Sequence, residues 1–197
     1  VSWFQNKNGQ FIKNNLKGTR VAGDSIELIP GTGYDTLLYQ GFEDSFPPGG
    51  WQVMTFGPSS KEWYKAGDHS HSGTYSAGVS YDISNQLDTW LVTDEINLGY
   101  FSTCTLNFWH RGNYTSGYYE YWGLLISNTS QTDTSTFNEI LELGPDAEDS
   151  WVQRTVDLTP YCGENNGYLA FRYNEYNGTD WWLDDIVFLT PSTEETD

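Results

Sequence analysis

The sequence predicts an all-β fold, an antiparallel β-sandwich, on three observations. Apolar and polar residues alternate in short runs along most of the chain, which is the period of a half-buried strand. Gly, Pro, Asn, Asp and Ser cluster between those runs, and no long amphipathic helical pattern competes with them. Finally, 9 Trp, 14 Tyr and 10 Phe supply the bulk of a core although only 37% of the residues are hydrophobic and the mean hydropathy is −0.58. The 197 residues have the size of a single domain.

Ser25 to Ile29 alternates and stops at Pro30-Gly31. Thr36 to Phe42 alternates and runs on into the turn Pro47-Pro48-Gly49-Gly50, after which Trp51 to Phe56 is a third strand. Ser76 to Val79, Thr89 to Thr93, Cys104 to His110, Tyr119 to Ser127, Glu139 to Leu143, Trp151 to Leu158, Tyr168 to Tyr173 and Trp181 to Leu189 complete the set. Thr134 to Leu143 is the best helical candidate, but it is short and ends at Gly144-Pro145, so it reads equally as a loop feeding a strand.

Parity along the strands assigns faces. Cys104, Leu106 and Phe108 point inward, leaving Trp109 outward or under a loop. Leu169, Phe171 and Tyr173 point inward, which offers Arg172 to solvent or to a carboxylate. Trp181 to Leu189 breaks the rule because both faces are apolar. That strand is either central and covered by loops or exposes aromatic surface for binding.

Nine Lys and Arg against 27 Asp and Glu leave a net charge of −18, a field that repels polyphosphate and anionic lipid. Nucleic acid is therefore not an expected partner. No apolar run is long enough for a membrane span, so no membrane insertion is expected, and no basic head with an apolar stretch marks an uncleaved signal peptide. The acidic excess with abundant Thr, Ser, Asn, Gly and Tyr points to an extracellular or cell-surface protein. Cys104 and Cys162 form either one bridge or two buried thiols, and spacing does not choose between them. Residues 1–38 carry Lys7, Lys13, Lys17 and Arg20 and read as an extension that packs across the sandwich or links to a preceding domain. Residues 190–197 are apolar-poor and aperiodic, as a linker within a longer multidomain chain would be.

Chemistry is sparsely supported. His69 and His71 are two apart and would share a strand face, where Asp68 or His110 could complete a zinc or catalytic cluster. Against this stand only 3 His in total, no H-E-x-x-H helix and no G-x-S-x-G elbow. No catalytic residue is assigned. The aromatic supply favours binding instead. Tyr114, Tyr118, Tyr119, Tyr121 and Trp122 surround one turn, and Tyr173, Tyr176, Trp181 and Trp182 flank another at Asn177-Gly178-Thr179-Asp180. Flat rings beside polar groups stack sugars and anchor protein partners, which makes Tyr118, Tyr176 and Trp181 the expected ligand contacts.

Three stretches carry a family resemblance. Gly41-Phe42-Glu43-Asp44-Ser45-Phe46-Pro47-Pro48-Gly49-Gly50-Trp51 resembles the opening segment of the cleaved-adhesin, or choice-of-anchor J, family. Asp88-Thr89-Trp90-Leu91-Val92-Thr93 with Leu106-Asn107-Phe108-Trp109 is similar to its middle strands. Ala170-Phe171-Arg172-Tyr173 with Trp182-Leu183-Asp184-Asp185-Ile186 is similar to its closing signature. The resemblance covers residues 39–189 and implies a jelly-roll β-sandwich of secreted bacterial adhesins, haemagglutinins and peptidases. Such a domain is expected to be a non-catalytic module that engages glycan or extracellular protein ligands, or alternatively a purely structural accessory of a larger secreted protein. The resemblance also implies structural calcium, Ca2+, held by Glu43 with Asp184 or Asp185, with Asp88 and Asp68 as further candidates. His71-Ser72-Gly73 resembles a family turn in which the imidazole orders a loop. Thr55 to Glu62 departs from the family's Asp/Gly-rich loop, so a calcium site there is not expected.

Overall fold

The computed structural model describes residues 2–5, 11–14, 34–99, 101–163 and 167–191. In chain order its strands are β1 (Ser2–Gln5), β2 (Phe11–Asn14), β3 (Tyr34–Gln40), β4 (Gln52–Phe56), β5 (Tyr64–Ala66), β6 (Ser76–Val79) and β7 (Gln86–Val92). They continue with β8 (Thr105–Gly112), β9 (Trp122–Ser127), β10 (Asn138–Leu143), β11 (Val152–Asp157), β12 (Tyr168–Tyr176) and β13 (Trp181–Pro191). One sheet has the order β10-β9-β12-β7-β4 and the other the order β11-β8-β13-β6-β5, with β3 also pairing β13. All named pairs are antiparallel, and the two sheets form a jelly-roll β-sandwich. β1 and β2 pair with each other as a separate two-stranded sheet. Among the described residues no helix is long and apolar enough to cross a membrane.

Parity is the physical origin of the core. Along β8 buried and half-buried residues alternate strictly, with Leu106, Phe108 and His110 inward and Trp109 outward. Phe171 of β12 pairs Leu91 and Leu124 across its own sheet and meets Phe108 of the facing sheet edge-on at 5.2 Å. His110 continues the inward row, and burial, then the positive Arg154, hold its imidazole down to about 4. It therefore sits neutral in the core. Trp63, Trp122 and Trp181 fill one end of the sandwich, with Trp122 and Trp181 stacked at 5.0 Å and 6°. Cys104 and Cys162 are bridged.

Three open readings resolve. The stretch from Thr134 is a single 3-10 turn (Thr134–Thr136) feeding β10. β13 is central and covered by loops, because β8 lies on one side while β6 and then β3 line the other. Trp109 lies outward but under a loop, where the His71 ring stacks on it at 3.8 Å. The three-residue β5 is too short for periodicity to reveal. The expected strand at Ser25 to Ile29 lies outside the described residues.

Candidate functional site

Of the acidic residues predicted as metal ligands, Asp184 and Asp185 lie side by side at a junction in the six-stranded sheet, and Glu43 reaches the same neighbouring loop from its other side. β13 changes partner there, since Leu183 pairs Ala77 of β6 while Ile186 pairs Gln40 of β3. On the other side the pairing with β8 slips between Asp184 and Val187, and Asp185 adopts a left-handed φ of 47°. An extra residue in one strand is a β-bulge, and Asp is among the few side chains that tolerate this conformation. The bulge re-aims two neighbouring carboxylates that a regular strand would send to opposite faces, so both reach the loop joining β5 to β6.

Asp184 Oδ2 accepts the backbone N–H of His71 at 2.7 Å and of Ser72 at 3.1 Å, and its Oδ1 accepts the N–H of Asp185 at 2.8 Å. Asp185 Oδ1 accepts the hydroxyls of Ser72 (2.7 Å) and Tyr39 (2.9 Å), while Oδ2 lies 2.6 Å from His71 Nδ1. Glu43, three residues past β3, reaches the far side of the same loop, where its Oε1 accepts the N–H groups of Thr74 and Tyr75, each at 2.8 Å. Burial, then the neighbouring charge of Asp185, push the Asp184 carboxyl up to about 7. His71 thus orders the loop between Trp109 and Asp185, while His69 packs edge-on against Trp182 and His110 points into the core. The three histidines do not gather.

Asp68 opens this loop and is exposed. Asp88 belongs to the other sheet. Its two oxygens accept Nε and an Nη of Arg172 at 2.8 and 2.9 Å, and Oδ1 also accepts the Trp90 indole N–H. The Arg172 guanidinium lies 4.9 Å from the Trp90 ring and 5.5 Å from the Tyr121 ring, so the carboxylate partner expected for Arg172 is Asp88.

Calcium takes about six to eight oxygen ligands. As bonded, the Asp184–Asp185 pair and Glu43 on the far side of the loop do not make such a set. The carboxylate oxygens described above are engaged by N–H, O–H and imidazole groups, and among the described residues no three His, Cys, Asp or Glu side chains form a group suited to a metal ion.

The aromatic turns do converge. Loops 80–85, 113–121 and 177–180 lie together at one end of the sandwich. Asn113 N–H bonds the carbonyl of Asp180, Asn177 N–H that of Asp82, and Tyr81 N–H bonds Asp180 Oδ1. The stitch is Glu175, fully buried beneath them: its Oε1 accepts the N–H of Glu120 (3.1 Å) and its Oε2 that of Thr179 (2.7 Å), while Glu120 Oε2 accepts the N–H of Tyr176 (2.8 Å). Gly178 has no room for a Cβ, which would strike Glu175 Oε2. Burial raises the Glu175 carboxyl to about 7. On this frame Tyr114 is 68% exposed, Ile83 66%, Tyr118 53% and Tyr176 51%. Trp181 does not belong with them. It is 0% exposed, stacked on Trp122 at the inward parity of β13, and cannot touch a ligand at the rim. Sequence reasoning missed Ile83 and Glu175, and only Glu175 left a signal, a charged residue at the inward parity of Leu169, Phe171 and Tyr173.

The cleaved adhesin domain family matches residues 35–188, the whole sandwich from β3 to β13. The chain belongs to this family. As a cleaved adhesin domain it is a non-catalytic module of the extracellular space or cell surface. It is similar to the K3 cleaved adhesin domain of Lys-gingipain from Porphyromonas gingivalis, at 23% identity and a TM-score of 0.60 over 80% of this chain and 99% of that one. The K2 domain of Lys-gingipain is similar at 20% identity and a TM-score of 0.57, covering 77% and 98%. The fold is also shared with the C-terminal family 22 carbohydrate-binding module of a Clostridium thermocellum protein, at 14% identity and a TM-score of 0.50, covering 83% and 98%. No curated protein sequence matches the chain.

Proposed function

We propose that this cleaved adhesin domain is an adhesion module of a longer secreted chain and that it holds a neutral glycan on the three-loop rim. One observation carries the reading: Tyr114, Tyr118 and Tyr176 stand exposed on a rim that Glu175 holds from below and the exposed Glu120 cross-links. Exposed aromatic residues are usually a cost, and a rigid set of them is what stacking on a sugar ring requires. Loops on a rigid sandwich are also where binding residues concentrate. The net charge of −18 opposes sialylated or sulfated glycans and favours neutral ones. The domains of Lys-gingipain, themselves parts of a larger protein, support the multidomain setting.

The test is a glycan array followed by calorimetry on the best neutral hit, with Tyr118→Ala and Tyr176→Ala as variants. Each is expected to weaken binding about tenfold or more while leaving stability within about 0.5 kcal/mol of the native chain. Retained affinity in both variants would place the site elsewhere. An empty array would favour a protein ligand or an accessory structural role.

A further inference from the structure

The segment after β3 already holds a cation, and it belongs to the chain. Lys65, the middle residue of β5, directs its ammonium to the carbonyl oxygens of Glu43 at 2.8 Å and Asp44 at 2.6 Å. The same nitrogen lies 3.9 Å from the centroid of the Tyr75 ring. Two carbonyl dipoles and an aromatic face are a sound environment for an ammonium ion, which has donors only and needs acceptors in several directions. Lys65 is placed by its pairing with Ala77, and Tyr75 stands beside that pair at the entry to β6. Glu43 is therefore held twice, its side chain by the N–H groups of Thr74 and Tyr75 and its carbonyl by Lys65.

A divalent ion on those two carbonyls would meet the ammonium at contact distance. Like charges so close repel strongly, and moving Lys65 away would also forfeit the Tyr75 contact. The other two carboxylates need no ion, because the backbone N–H groups of His71, Ser72 and Asp185 and two hydroxyls spread their charge.

We propose that Lys65 is the built-in cation of the Glu43–Asp44 segment and that the domain folds and keeps its β5–β6 loop in place without calcium. The native chain is melted in chelator and again with millimolar calcium or magnesium chloride, and calcium is titrated into it by calorimetry. The expected result is a Tm unchanged within about 1 °C and no saturable heat. Lys65→Met keeps the length and apolar stem but removes the charge, and is expected to lower Tm by about 2–4 °C. Lys65→Arg, which restores a charge, should recover most of that loss. A calcium-specific rise in the Tm of the native chain would overturn the proposal, and so would a Lys65→Met chain as stable as the native one. If Lys65→Met does not fold, the chelator and calcium melts of the native chain decide alone.

Discussion

Glu175→Gln should change the pH dependence of stability in a way that isolates one carboxyl. Glu175 is fully buried, and its carboxyl is raised from 4.5 to about 7, first by burial, against the backbone N–H groups of Thr179 and Glu120. The folded state therefore holds a proton that the unfolded chain has already lost, and between these two values the fold binds more protons. The associated stability is complete below about 4.5 and is lost as pH rises through about 7. At roughly 1.4 kcal/mol per pKa unit, the swing is about 3 kcal/mol. Gln does not titrate and offers one acceptor where the carboxylate offers two, so it adds a constant penalty of about 1–3 kcal/mol and no slope. Asp184 and His110 also titrate in this range, but both proteins contain them and they cancel in the difference. Urea unfolding of both proteins from pH 4.5 to pH 8 measures that difference. It should move by about 3 kcal/mol in favour of Glu175→Gln across the range, with unchanged m-values. A difference that stays flat would refute the account of Glu175 as a desolvated carboxyl beneath the rim.

Two further predictions separate scaffold from binding surface. Trp181→Ala should cost about 3–5 kcal/mol in urea unfolding, since the ring is fully buried against Trp122 and Trp63, and any loss of ligand should follow the loss of folded protein. A stable Trp181→Ala chain with selectively weakened binding would return Trp181 to the ligand site. Replacing Cys104 and Cys162 by Ser opens a closure spanning 58 residues, which the chain-entropy relation values at about 4 kcal/mol. Comparing the unfolding midpoints of the double variant and the oxidised native chain checks it, and coincident midpoints would contradict that value.

These predictions also mark what periodicity can and cannot read. Alternation locates the strands of both sheets other than the three-residue β5, and it sorts Cys104, Leu106 and Phe108 from Trp109 without a coordinate. It misplaces Trp181, because a residue beside a turn looks like rim until one knows that β13 is central and that its first residues already lie between β8 and β6. That Glu43, Asp184 and Asp185 all bond the one loop between β5 and β6 was not legible from alternation, since parity alone sends adjacent aspartates to opposite faces. What turns both aspartates to that loop is a bulge at the point where one strand trades neighbours, a tertiary event with no period. Lys65 is harder still, for nothing in a three-residue strand shows that its ammonium will find the carbonyls of Glu43 and Asp44, about twenty residues earlier. Apolar residues can be read from spacing because burial is a property of a face. The charged residues of this domain act on individual backbone groups of distant loops, so their partners emerge only once the sheets have set the loops side by side.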